Sequence, residues 1–130
     1  MKRLFILLLV ALSLGACQST ESRVESVAET FLNVYYTGDY AAAADFCTPA
    51  FAAQVLSAEQ DIQALPDEAR QKIKEALSRT SFQIVSVDVD EDAASAIVRY
   101  ELSVPDAEKP VPKALKLQLE GRTALIDGIQ

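Results

Sequence analysis

The sequence predicts an α+β domain in which N-terminal helices pack on one face of an antiparallel sheet. Two observations carry this. Apolar residues recur at helical spacing as far as Thr80, and from Phe82 onward they alternate at a spacing of two. Helices first and strands after is the order of an antiparallel meander roofed on one side.

Ser22 to Tyr36 reads as the first helix. Val24, Val27, Ala28, Phe31, Leu32 and Tyr35 form a stripe along one face, and Glu21, Glu25 and Glu29 suit the positive end of the helix dipole. Gly38 in Thr37-Gly38-Asp39 is placed as a C-terminal cap, and Asp39 then caps a second helix, Tyr40 to Cys47. Thr48-Pro49 is an N-cap followed by proline at the first helical position, which opens a helix from Pro49 to Leu56. Ser57 and Gln60 fit a capping box for a further short helical piece. Pro66-Asp67-Glu68 starts the last helix, to about Arg79, with Ala69, Ile73, Ala76 and Leu77 on one side.

The strands follow. In Phe82 to Val89, Val85, Val87 and Val89 alternate with Ser86 and Asp88, and Asp90-Glu91-Asp92 turns the chain. In Ala94 to Val104 one face reads Ala94, Ala96, Val98, Tyr100, Leu102 and Val104, as a half-buried strand requires. Pro105 to Pro112 reads as a loop. Leu115, Leu117 and Leu119 then alternate with polar residues, and Gly121 turns the chain into a last strand, Thr123 to Ile129.

At 130 residues the chain has room for one compact domain. A formal charge of −7 argues against nucleic acid as a partner, because phosphates need a basic face. With no histidine, the Ser-His-Asp and Cys-His arrangements, the commonest zinc sites and the usual pH switch are all excluded.

Residues 1–16 read as a targeting segment. Lys2 and Arg3 precede an apolar run, Leu4 to Leu14, that is shorter than the roughly 20 residues a membrane span needs and has the size of a signal-peptide core. The run ends in Leu14-Gly15-Ala16-Cys17, which resembles the lipobox of bacterial lipoproteins. That resemblance implies cleavage between Ala16 and Cys17 and a lipid-modified Cys17, with residues 17–22 as lipidated cysteine and tether and 23–130 as the domain. Each buried acyl methylene contributes roughly 0.8 kcal/mol, so several chains hold a protein on a membrane stably. Gln18 after the cysteine implies, by the same resemblance, sorting to the outer membrane of a bacterial envelope, and the domain is expected to face the periplasm. Losing Lys2 and Arg3 leaves a body more acidic than the whole chain, repelled from an anionic bilayer. Lipidation also leaves Cys47 without a disulfide partner.

The order of elements resembles the cystatin-like, nuclear transport factor 2-like superfamily. The stretch FLNVYYTGDYAAAADF, Phe31 to Phe46, looks like the start of small bacterial lipoproteins that carry a domain of unknown function within it. Leu119 to Asp127 is similar to their closing hairpin, although the tryptophan often found there is absent. The resemblance implies a curved sheet forming a cone beneath the first helix, with Phe31, Tyr35, Val98 and Tyr100 as candidates to line a pocket. Some members are isomerases that pair an aspartate base with a tyrosine and a protonated aspartate. Here Asp88, Asp90, Arg99 and Glu101 fall on the outward parity of the strands, so no inward carboxylate offers itself as a base, and no catalytic residue or cofactor is assigned.

Asp88, Asp90 and Asp92 spell the opening of a calcium loop, but Ala93 stands where glycine is required and Arg99 where the bidentate glutamate belongs, so no metal ligand is assigned. Cys47, with no histidine to activate it, reads as a small buried residue. Two functions fit these expectations. One is a non-catalytic module that binds a small apolar or amphipathic ligand inside the cone. The other is a filled cone that works through its surface, on another envelope protein or as a homodimer through the sheet.

Overall fold

The computed structural model of the chain describes residues 19–130. The expected signal peptide, the cleavage position Ala16 and the lipidation position Cys17 lie outside the described residues. Among the described residues four helices, α1 (Thr20–Tyr36), α2 (Tyr40–Ala44), α3 (Pro49–Gln63) and α4 (Asp67–Ser78), precede four strands, β1 (Ser81–Asp90), β2 (Ser95–Ser103), β3 (Val111–Glu120) and β4 (Thr123–Ile129). The strands pair antiparallel in chain order, β1-β2-β3-β4, and α1 lies against the sheet. This is the α+β arrangement that the change of period predicts.

Local signals set the start and end of α1. Ser19 accepts a hydrogen bond from the Ser22 N–H at 3.1 Å and so caps the first turn two residues before the predicted start. At the other end the Gly38 N–H donates to Tyr35 and the Asp39 N–H to Val34, at 3.1 and 3.0 Å, which is a Schellman closure. Gly38 has φ of +88°, and a Cβ there would lie 3.3 Å from Leu77 Cδ1, so both backbone and packing ask for glycine. Val24, Ala28, Phe31 and Leu32 are buried from this helix against Ala96, Val98, Tyr100, Leu115, Leu117 and Ile126 of the sheet.

Two helix boundaries differ from expectation. The second helix stops at Ala44, before Cys47, because the chain leaves it to join the sheet edge. Ile126 donates to Phe46 and Thr48 donates to Ile126, both at 2.8 Å, making a short parallel bridge at Cys47. The capping box expected at Ser57 and Gln60 does not form. Helix α3 runs unbroken to Gln63, since no proline or glycine interrupts it and a serine inside a helix costs only a few tenths of a kcal/mol, by rough measure.

The strands correct three further expectations. The register of β1 shifts between Ile84 and Ser86, and the bulged Val85 is 61% exposed, where simple alternation put it inward. The bulge reconciles two parities: Phe82 and Ile84 before it and Val87 and Val89 after it all pack on the core. Ala94 is exposed in the β1–β2 turn with φ of +50°, and β2 begins at Ser95. Val111 and Pro112, read as loop, pair with Leu102 and Glu101 at the start of β3. Proline is tolerated there because backbone pairing on that side of β3 stops at Ala114, bonded to Gln130, so the N–H side of Pro112 faces no strand.

A second bulge, at Asp127, ties the helices to the sheet. Leu117 pairs with Ile126 and Lys116 with Gly128, leaving Asp127 extra. Its carboxylate accepts from the buried Thr48 hydroxyl at 2.9 Å and from Gln118 Nε2 at 3.2 Å. Thr48 thus caps α3 and anchors it to β4 with one side chain.

Candidate functional site

The C-terminal half of α1 concentrates the aromatic residues. Phe31, Tyr35 and Tyr36 meet Phe51 of α3, Tyr40 of α2, and Phe82 and Tyr100 of the sheet, with ring centroids 5.0–6.5 Å apart. Of the four candidate pocket residues, Phe31, Val98 and Tyr100 are at most 1% exposed and Tyr35 is half-buried. The structure brings them into one contiguous core cluster.

A cleft of about 640 Å³ opens beside that cluster, between α1, α4 and the start of β1. Leu32, Tyr36, Leu77 and Phe82 supply its apolar walls, and Asn33 and Lys74 are among its polar ones. None of the four candidate residues lines it. Tyr100 reaches it indirectly, because its hydroxyl lies 2.9 Å from that of Tyr36. Tyr36 is therefore the site residue that the first-helix stripe missed. The signal was there: Leu32 and Tyr36 are four residues apart, one turn along the same face.

The phenols hold their protons. Burial pushes Tyr35 up to about 12, and it raises Tyr36, Tyr40 and Tyr100 as well. The hydrogen bond between Tyr36 and Tyr100 works in opposite directions on its ends, lowering Tyr36 and raising Tyr100. Either hydroxyl can donate in this pair. Neutral phenols this far above their ordinary range donate and accept hydrogen bonds, and do not act as bases near neutrality.

The remaining polar motifs are absorbed by the fold. Asp88 is ion-paired with Arg99 across β1 and β2, and Asp90 accepts from the Ala93 N–H at 3.1 Å, closing the hairpin turn. Among the described residues no group of three or more acidic or cysteine ligands converges to hold a metal. The Cys47 thiol is buried, donates to the Ala43 carbonyl at 3.3 Å and is pushed up to about 11. Burial is the cause.

Comparison with protein-family models, with curated proteins and with solved structures finds no match to the chain.

Proposed function

We propose that the chain is a lipoprotein of the bacterial cell envelope, anchored through Cys17, whose domain is a cystatin-like cone that binds a small apolar or amphipathic ligand without catalysing a reaction. The observation that supports this best is the cleft under α4. It has the volume of a ligand site, apolar walls and a few polar groups, and it meets the core at the Tyr36–Tyr100 hydroxyl pair. The ligand's apolar part lies against Leu32, Leu77 and Phe82, and its polar end reaches Asn33 or Lys74. A second reading, docking of an envelope protein or another copy along β1, draws on the exposed Val85 at that sheet edge.

Native mass spectrometry of the full chain tests the first reading. A reproducible added mass is expected, and Leu77→Arg is expected to abolish it. Leu77 is half-buried and lies outside the buried core, so the substitution obstructs the cleft without opening a cavity there, and a melt of the variant shows whether α4 stays docked. An adduct that survives Leu77→Arg removes the ligand from this cleft, and a dimer without an adduct favours the edge of β1. The anchor is tested separately by metabolic labelling with palmitate, which Cys17→Ser is expected to eliminate; label persisting in that variant refutes it.

A further inference from the structure

A second cleft, of about 340 Å³, lies at the other end of α1, where that helix meets the α2–α3 connection and the β3–β4 hairpin. Its lining includes two arginines, Arg23 and Arg122. The arginines of the described residues divide sharply. Arg70, Arg79 and Arg99 each form an ion pair with an aspartate or glutamate. Arg23 and Arg122 have no carboxylate within 4.0 Å among the described residues, and both line this one cleft. In a chain with 19 acidic residues against 12 basic ones, two arginines lining one cleft without a carboxylate partner ask for a reason.

Arg23 is also held in position. One terminal nitrogen donates to the Arg122 carbonyl and the other to the Thr20 hydroxyl, both at 3.3 Å. Its Nε–H is buried and has no partner. A buried donor on a charged group left unmade is costly, and the Arg23 charge meets only two neutral acceptors, so an anion beside it gains a charge-assisted partner. Asp45 borders the cleft outside ion-pair distance of both arginines, while Val27, Phe46 and Leu125 give it apolar walls. A planar fork beside an apolar wall matches a carboxylate or phosphate carried on an apolar body.

We propose that this cleft is an anion-binding site, separate from the cleft under α4, in which Arg23 and Arg122 hold the oxyanion head of a small amphiphile. The apolar part of the ligand rests on Val27, Phe46 and Leu125. The same head-group chemistry is offered by a free amphiphile and by a phospholipid in a bilayer.

Calorimetric titration of the full chain with octyl phosphate and with octanoate tests this. At least one is expected to bind, with octanol, which lacks the charge, binding far less. Arg122→Gln is expected to weaken binding by about 10- to 100-fold, the effect of losing a charge-assisted hydrogen-bond donor. The Arg122 side chain sits on an exposed hairpin turn, so its melting temperature without ligand should not change. Leu77→Arg in the α4 cleft should leave this binding intact, which separates failure here from failure of the ligand reading above. A Cys17→Ser chain mixed with vesicles of phosphatidylcholine, with and without phosphatidylglycerol, identifies the source. Arg122-dependent attachment to the anionic vesicles assigns a bilayer phosphate, and binding of the soluble probes alone assigns a free amphiphile. Absence of binding by both charged probes overturns the proposal. So does equal binding by octanol, or binding unchanged in both Arg122→Gln and Arg23→Gln.

Discussion

The Tyr36–Tyr100 pair shows how much a single hydroxyl depends on where it sits. Tyr100 is 1% exposed and its hydroxyl has Tyr36 as its hydrogen-bond partner, whereas Tyr36 is half-buried beside the cleft. Removing one hydroxyl therefore has unequal consequences at the two ends. Tyr36→Phe leaves the Tyr100 hydroxyl buried and unpaired, at a cost of about 1–3 kcal/mol. Tyr100→Phe leaves the Tyr36 hydroxyl with access to water, and costs about 0.5–1.5 kcal/mol. Urea melts of the two variants check the order. Equal losses, or a larger loss for Tyr100→Phe, would mean that water already reaches the buried hydroxyl.

At the scale of the element, β1 makes the sharpest prediction, because its bulge sends one valine to solvent and keeps four apolar residues on the core. Val85→Thr should change stability by less than about 0.5 kcal/mol, as surface substitutions do. Leu115→Ala, on the fully buried face of β3, should cost about 2–5 kcal/mol from lost burial and the cavity left behind. A large loss at Val85 would place that side chain inside and remove the bulge. Helix α4 behaves differently from its neighbours. It has a clear apolar side, yet none of its residues is buried; two of its three basic residues, Arg70 and Lys72, are ion-paired within the helix, and Arg79 just past its end pairs with Glu75. Exposed pairs of this kind contribute little, about 0–1 kcal/mol each, so α4 is held mainly by the half-buried Ile73 and Leu77.

For the whole molecule, the buried phenols set an alkaline limit. The folded state holds Tyr35 at about 12, against an ordinary value of 10.0, and raises Tyr36, Tyr40 and Tyr100 too. Between those values the unfolded chain gives up its tyrosine protons while the folded chain keeps them. The stability conferred by neutral, buried phenols is therefore complete below pH 10 and falls as pH rises through 12. Denaturant midpoints measured across this window should decline steadily, with ionised tyrosine absorbance appearing together with unfolding. Tyrosine ionisation that precedes loss of the fold would show the phenols to be solvated. The aromatic cluster couples α1, α2, α3 and the sheet, so its failure reaches the core as a unit.

The sequence by itself determined whatever depends on residues close along the chain. The Schellman closure at Gly38, the caps at Asp39 and Thr48, the buried stripe of α1 and the inward parity of Ala96, Val98, Tyr100 and Leu102 were all legible. Each follows from turn-to-turn or alternate-residue geometry. Tertiary structure alone decided the rest. The chain leaves α2 after Ala44 so that Cys47 bridges Ile126, and Val85 and Asp127 bulge because two strands must keep their apolar residues on one face while in register with a neighbour. Tyr36 finds Tyr100, and Arg23 comes to lie beside Arg122, across 64 and 99 residues of chain. Both clefts lie between elements, and no local period brings their facing walls together. Their composition was in the sequence; their meeting was set when the sheet closed on α1, because packing is satisfied over the whole core at once.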